Sequence, residues 1–228
     1  MPTNRVVLAE LFTWQRCVYC PYAAHTLESL AKEFADSLVI VAYHRRVAGD
    51  TLSPEYVEVR RAFYYESGGE PATVFDGGEA VRTPGPEYNY EIFRNYFLGA
   101  KALLPQAQLT VDLELDSTLG RVKVSAFGVD STPAESLRLF IVITEDGIRE
   151  RLPGATDSVF NRVMRLMLPD VNGQVVWLEK GDTVSVEQEF SIPAVWKKER
   201  LQAVAFLQNM RTRRVLQTVS TRSIKRRR

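Results

Sequence analysis

The chain is poor in the residues that build metal clusters and disulfide frameworks, with two cysteines and two histidines among 228 residues. Two cysteines allow one bridge at most, so no disulfide-rich scaffold is encoded, and they say little about the redox compartment. A dominant charge of one sign is also missing. Net charge is +1, and because Lys225-Arg226-Arg227-Arg228 supplies +4, the body before it carries −3. A mildly acidic body argues against a nucleic-acid groove. No apolar run approaches ~18 residues, so no transmembrane helix is expected. No signal peptide is visible at Met1-Pro2-Thr3-Asn4-Arg5. The chain therefore reads as cytoplasmic, or as one that begins after a removed leader. Apart from the basic tail, there is no repeat and no low-complexity stretch. What remains is 45% apolar and 25% charged, an ordinary globular make-up with length for one large domain or two smaller ones.

The first half alternates strand and helix signals. Val6–Thr13 and Leu38–Tyr43 read as buried strands, and Pro21–Phe34 as a helix with Ala24, Leu27, Leu30, Ala31 and Phe34 on one face. Ser53-Pro54-Glu55 looks like a helix start, with the helix running to about Tyr65. Ala72–Phe75, the turn Asp76-Gly77-Gly78 and Ala80-Val81-Arg82 read as a hairpin. After the loop Pro84-Gly85-Pro86, Tyr88–Leu98 reads as a helix ended by Gly99. From Leu109 onward the pattern alternates apolar and polar. Strands are expected at Leu109–Leu115, Val122–Ala126, Leu137–Thr144, Val175–Leu178, Val184–Ile192, Leu201–Gln208 and Val215–Ser220. About seven strands with turns between them suggest an antiparallel β-sandwich. Phe160–Leu168 fits either a strand or a short helix. The expected organisation is an α/β domain over residues 1–105, a β-sandwich over 106–222 and a basic tail over 223–228.

The most informative motif is Cys17-Val18-Tyr19-Cys20, placed between a strand and a helix. A helix N-terminus carries partial positive charge and unpaired N–H groups, and both stabilise a thiolate. Arg16 adds a cation beside the first sulfur, and Trp14 adds an aromatic ring. Downstream, Glu70-Pro71 leads directly into a strand and hairpin.

With this combination, residues 5–104 resemble the thioredoxin-like superfamily. The fold this implies is a mixed sheet flanked by helices, in which a cis-proline, here Pro71, faces the Cys-x-x-Cys pair. By the same resemblance Cys17 is the attacking nucleophile and Cys20 the resolving thiol. The activity implied is thiol–disulfide exchange on protein substrates, with a redox partner protein and no organic cofactor. Glu70 and Pro71 would shape the substrate groove, with Trp14, Arg16 and Tyr19 around it. Val18-Tyr19 is not the family's usual spacer, so the redox potential is not inherited. Glu10, inside an apolar strand, matches the family's buried acid with one extra residue before the first cysteine. It is either a proton relay or a structural acid paired with a group such as a tyrosine.

The whole chain is similar to a bacterial family, the outer membrane protein of twenty-eight kilodaltons. The similarity rests on Glu10-Leu11-Phe12-Thr13, the cysteine motif followed by Pro21, and Ala42-Tyr43-His44. It continues through Ile143–Ile148, Asn161–Arg165, Val204–Asn209 and Val215–Gln217. It implies an immunoglobulin-like β-domain after the first domain, and export to the cell envelope.

Plainer readings stand beside these. The cysteines could form a static disulfide in a non-catalytic envelope binding or scaffold protein, or join His25 and His44 on zinc. His44 is either a polar group near the sulfurs or a hydrogen-bonded strand-end residue. Trp14 and Tyr19 form a docking rim or simply pack. Arg211–Arg214 reads as a solvated turn, and the tail could touch anionic lipid or nucleic acid, or be disordered.

Overall fold

The computed structural model describes residues 4–82, 89–130, 136–149 and 152–221. The basic tail and the Pro84-Gly85-Pro86 loop lie outside these residues. In chain order the elements are β1 (Val7–Thr13), α1 (Cys20–Glu33), β2 (Leu38–His44), α2 (Val57–Tyr64), β3 (Ala72–Phe75), β4 (Ala80–Val81) and α3 (Asn89–Lys101). There follow β5 (Ala107–Leu115), β6 (Leu119–Gly128), β7 (Leu137–Glu145), β8 (Val163–Leu168), β9 (Gln174–Val175), β10 (Thr183–Ser191), β11 (Leu201–Asn209) and β12 (Val215–Ser220). Among the described residues no helix is long and apolar enough to cross a membrane.

The strands form two sheets. A nine-stranded mixed sheet runs β12-β11-β7-β8-β2-β1-β3-β4, with β9 on β7, and a three-stranded sheet runs β10-β6-β5. This overturns the expected fold class, a helix-flanked α/β thioredoxin-like domain followed by a separate immunoglobulin-like sandwich. Strands from both halves of the sequence share one sheet, and the protein is mostly β. The join is β8. It pairs antiparallel with β7 and meets β2 in parallel register at Ala42 and Val163, where the Ala42 N–H donates to the Arg162 carbonyl (2.8 Å).

Burial explains why the expected separate sandwich does not form. In β5 the burial alternates, as in a sheet with one wet face. β7 and β11 are buried on both faces, so they become interior strands of the large sheet. Odd-numbered β7 residues from Leu137 to Ile143 pack against the three-stranded sheet through Val111, Val122 and Val124. Phe140 and Val142, on the other face, meet Leu8, Phe12, Val41 and Tyr43 of β1 and β2 in a second core, with Val57 and Tyr64 of α2. The opposite face of β1 and β2, including Ala9, Leu11 and Ile40, is covered by α1 and α3.

The large sheet curls back on itself. The Val215 N–H donates to the Asp76 carbonyl (2.9 Å), and Arg5 donates to the Val215 carbonyl (2.7 Å) while pairing with Asp76. Smaller expectations shift as well. Gly99 does not end its helix, which runs on to Lys101. The Ser53-Pro54 start moves to a Tyr56 cap that lacks a side-chain hydrogen bond.

Candidate functional site

β1 ends at Thr13, the chain turns, and Cys20 opens α1 with Pro21 in its first turn. Cys17 and Cys20 are joined in a disulfide. Its sulfur caps the helix: the Cys20 N–H lies 3.1 Å from Cys17 Sγ, taking up one of the donors a helix start leaves open. Both cysteines are buried, at 3% and 2% exposure. Val18 and Tyr19 between them project into solvent, as does Tyr22.

Two segments close over the sulfurs. The first is Glu70-Pro71, joined by a cis peptide bond, whose Glu70 carbonyl oxygen lies 3.7 Å from Cys17 Sγ. The Glu70 carboxylate is held by Arg45 (2.8 Å) and Arg61 (3.2 Å), and Arg45 also grips Glu58. Burial lowers the pKa of the Arg45 guanidinium, but hydrogen bonds to Glu58 and Glu70 outweigh it and raise that pKa above its ordinary value. The second segment is the loop 152–158, far away in sequence. Thr156 donates from its N–H to the Gln15 carbonyl (2.9 Å) and from its hydroxyl to the Cys17 carbonyl (2.8 Å). Arg16 donates to the Pro153 carbonyl (2.7 Å).

Beside the disulfide lies a cavity of about 170 Å³ lined by Cys20, Thr13, Trp14, His44 and Phe160, among others. His44 is 2% exposed. Its Nδ1 lies 2.9 Å from Asp50 Oδ2, and its ring stands edge-on to Phe160 at 5.3 Å. Asp50 also accepts the Gln15 N–H (2.7 Å) and the Leu52 N–H (2.8 Å).

Glu10 does not join this group. Strand alternation turns it, with Leu8 and Phe12, to the other face of β1. There it is fully buried, accepts from Arg60 Nε and Nη2 (2.8 and 2.9 Å) and from the Tyr64 hydroxyl. Tyr64 in turn accepts from Gln208 (2.9 Å). Arg60 lies 4.9 Å from the Phe140 ring centroid and 5.2 Å from that of Phe206. Burial pushes the Tyr64 and Tyr43 phenols well up, and Glu10's charge adds to it, so both stay protonated.

The structure thus gathers Cys17, Cys20, Trp14, Arg16, Glu70 and Pro71 in one place, with Tyr19 exposed at its rim and Glu10 behind the sheet. The four-ligand zinc arrangement is not assembled: the sulfurs are bonded to each other, His25 faces Asp157 and His44 faces Asp50. Sequence reasoning missed Asp50 and Thr156. Asp50-Thr51-Leu52 did carry a local signal, since an aspartate accepting the N–H two residues on is an Asx-turn. Thr156 carried none.

Fold and site together define a class: a mostly β protein whose large curled sheet carries a helix-start disulfide under a loop from its other half. Within that class, the chain is similar to the solved structure of HBP35 of Porphyromonas gingivalis, at TM-score 0.78 and 16% identity, covering 96% of this chain and 75% of that one. It is also similar to protein AGR_C_4864 from Agrobacterium tumefaciens, at TM-score 0.59 and 16% identity, covering 96% and 95%. A domain of the outer membrane lipoprotein Omp28 from Porphyromonas gingivalis is a looser neighbour, at TM-score 0.38 and 14% identity, covering 52% and 88%. At 16% identity the first two likenesses are of fold alone, and they do not establish the thioredoxin-like superfamily. No protein-family model matches the sequence, and no curated protein does.

Proposed function

We propose that this chain is a cell-envelope binding or scaffold protein in which Cys17–Cys20 is a fixed brace. One observation carries the reading: the loop 152–158 hydrogen-bonds to the carbonyls of Gln15 and Cys17 across a disulfide whose two residues are buried. The disulfide turn is thereby a contact between distant parts of the chain. An extracytoplasmic location fits, because disulfides persist in oxidising compartments and are rare in the cytosol. The exposed Val18, Tyr19 and Tyr22, with Trp14 beside them, offer a protein partner an apolar edge.

A second reading, thiol–disulfide exchange on protein substrates, is favoured by a different observation. Cys17 Sγ sits at the helix start against the Cys20 N–H, where a thiolate would be stabilised.

A glutathione redox titration followed by mass spectrometry separates the two. A pair that stays oxidised below about −300 mV supports the brace. A reversible potential between about −270 and −120 mV sinks it in favour of exchange.

A further inference from the structure

Opening the bridge leaves a thiol at Cys20, 2% exposed and lining the cavity beside the disulfide. Its proton needs a carrier. Glu10, the carrier the sequence suggested, faces the other side of β1 and is occupied by Arg60 and Tyr64. The cavity beside Cys20 contains a different group. His44 lines it together with Cys20, and Asp50 holds His44 Nδ1. A carboxylate on Nδ1 fixes the tautomer and leaves Nε2 to exchange protons. A thiol, an imidazole and an orienting carboxylate are the parts of an activated cysteine. The cavity, at about 170 Å³, is large enough for a bridging water.

We infer that His44, oriented by Asp50, is the general base for Cys20. The inference rests on the exchange reading. In the resolving step Cys17 carries a mixed disulfide to a partner thiol. The Cys20 proton passes through the cavity to His44 Nε2, and the Cys20 sulfur attacks Cys17 Sγ. The new bond is Cys17–Cys20, the broken bond is the one to the partner sulfur, and the partner leaves as a thiolate. Cys20 is oxidised, the partner sulfur is reduced, and His44 later releases the proton to solvent.

The other charged groups at the cavity belong to α1 and to the segment 156–162. His25 faces Asp157 at 3.4 Å, and Arg162 faces Glu28 at 3.6 Å. Both of those pairs are partly exposed, whereas His44, which lines the cavity with Cys20, is paired with Asp50 and both are buried.

The test uses the full chain reduced by a dithiol, freed of it, and loaded at Cys17 by exchange with a symmetrical chromogenic aromatic disulfide, one aromatic thiolate leaving as the mixed disulfide forms. Release of that thiol is followed from acid to alkaline pH. In the unaltered protein the release profile should show two ionisations, one from the thiol and one from the base. His44→Asn should lose one of them and slow release by about 100-fold at neutral pH, the lower end for a positioned base. Asp50→Asn should slow release less. Three results overturn the inference. The first is His44→Asn keeping the original rate and profile, and the second is a single ionisation in the unaltered protein, a measurement that needs no variant to fold. In both cases exchange still stands. If no mixed disulfide forms at Cys17, the exchange reading falls and takes the inference with it.

Discussion

Asp76 sits just past β3, its carboxyl buried between Arg5 and the Leu8 N–H, which donates to it at 2.8 Å. Burial pushes its pKa up from 3.8 to about 6, against the pull of Arg5. A raised carboxyl contributes stability that is present below the unfolded value and is lost as pH rises through the folded one. The window therefore runs from about pH 4 to 6, and stability from this group falls across it by up to ~3 kcal/mol. Urea unfolding of the protein and of Asp76→Asn at pH 4, 5, 6 and 7 isolates the effect. The stability difference, protein minus variant, should shrink as pH rises. A flat or growing difference would mean that Arg5 dominates. At this scale the sequence was most readable where chemistry is local. Cys17, Cys20 and Pro71 could be found from their motif and its neighbours. Asp76 read only as a turn residue, because its partners Arg5 and Leu8 lie some seventy positions away.

Between elements, the helices were the legible part, since α1 keeps Leu27, Leu30 and Ala31 inward at helical spacing. Strand order was not legible. Leu137–Ile143 has one polar residue, Arg138, and such a continuous run signals a strand buried on both faces. Read as a sandwich strand, it pointed to the wrong architecture. The closure of the large sheet was also hidden, though Gly77 marks it. Gly77 has φ +76°, and a Cβ there would lie 1.8 Å from the Arg213 carbonyl oxygen in the turn between β11 and β12. Backbone cannot give way as a side chain can. Gly77→Ala should therefore cost more than ~2 kcal/mol, through left-handed strain and the blocked approach together. Thermal unfolding measures it. Gly99→Ala is the comparison, because nothing lies within 4 Å of a Cβ there and its helical site should gain up to ~1 kcal/mol. Equal effects at the two glycines would show that the sheet does not need the close contact at Gly77.

For the whole molecule, the decisive fact is that the core around α2 belongs to both halves of the sequence. Phe140 and Phe206 stack at 5.0 Å and lie over Arg60, which holds Glu10. Neither half can unfold without exposing the apolar core they share, in which Phe140, Val142, Val204 and Phe206 pack with Leu8, Phe12, Val41 and Tyr64. One cooperative transition is therefore expected in denaturant. Tryptophan fluorescence reads Trp14 in the first half and Trp177 and Trp196 in the second, so its midpoint should coincide with that of far-ultraviolet circular dichroism. Phe206→Ala, in β11, should lower the stability by ~3–5 kcal/mol and shift both probes together. If Phe206→Ala instead moved only part of the signal and left a second transition in place, the halves would be independent units, and the loop over the disulfide would be a docking contact between them.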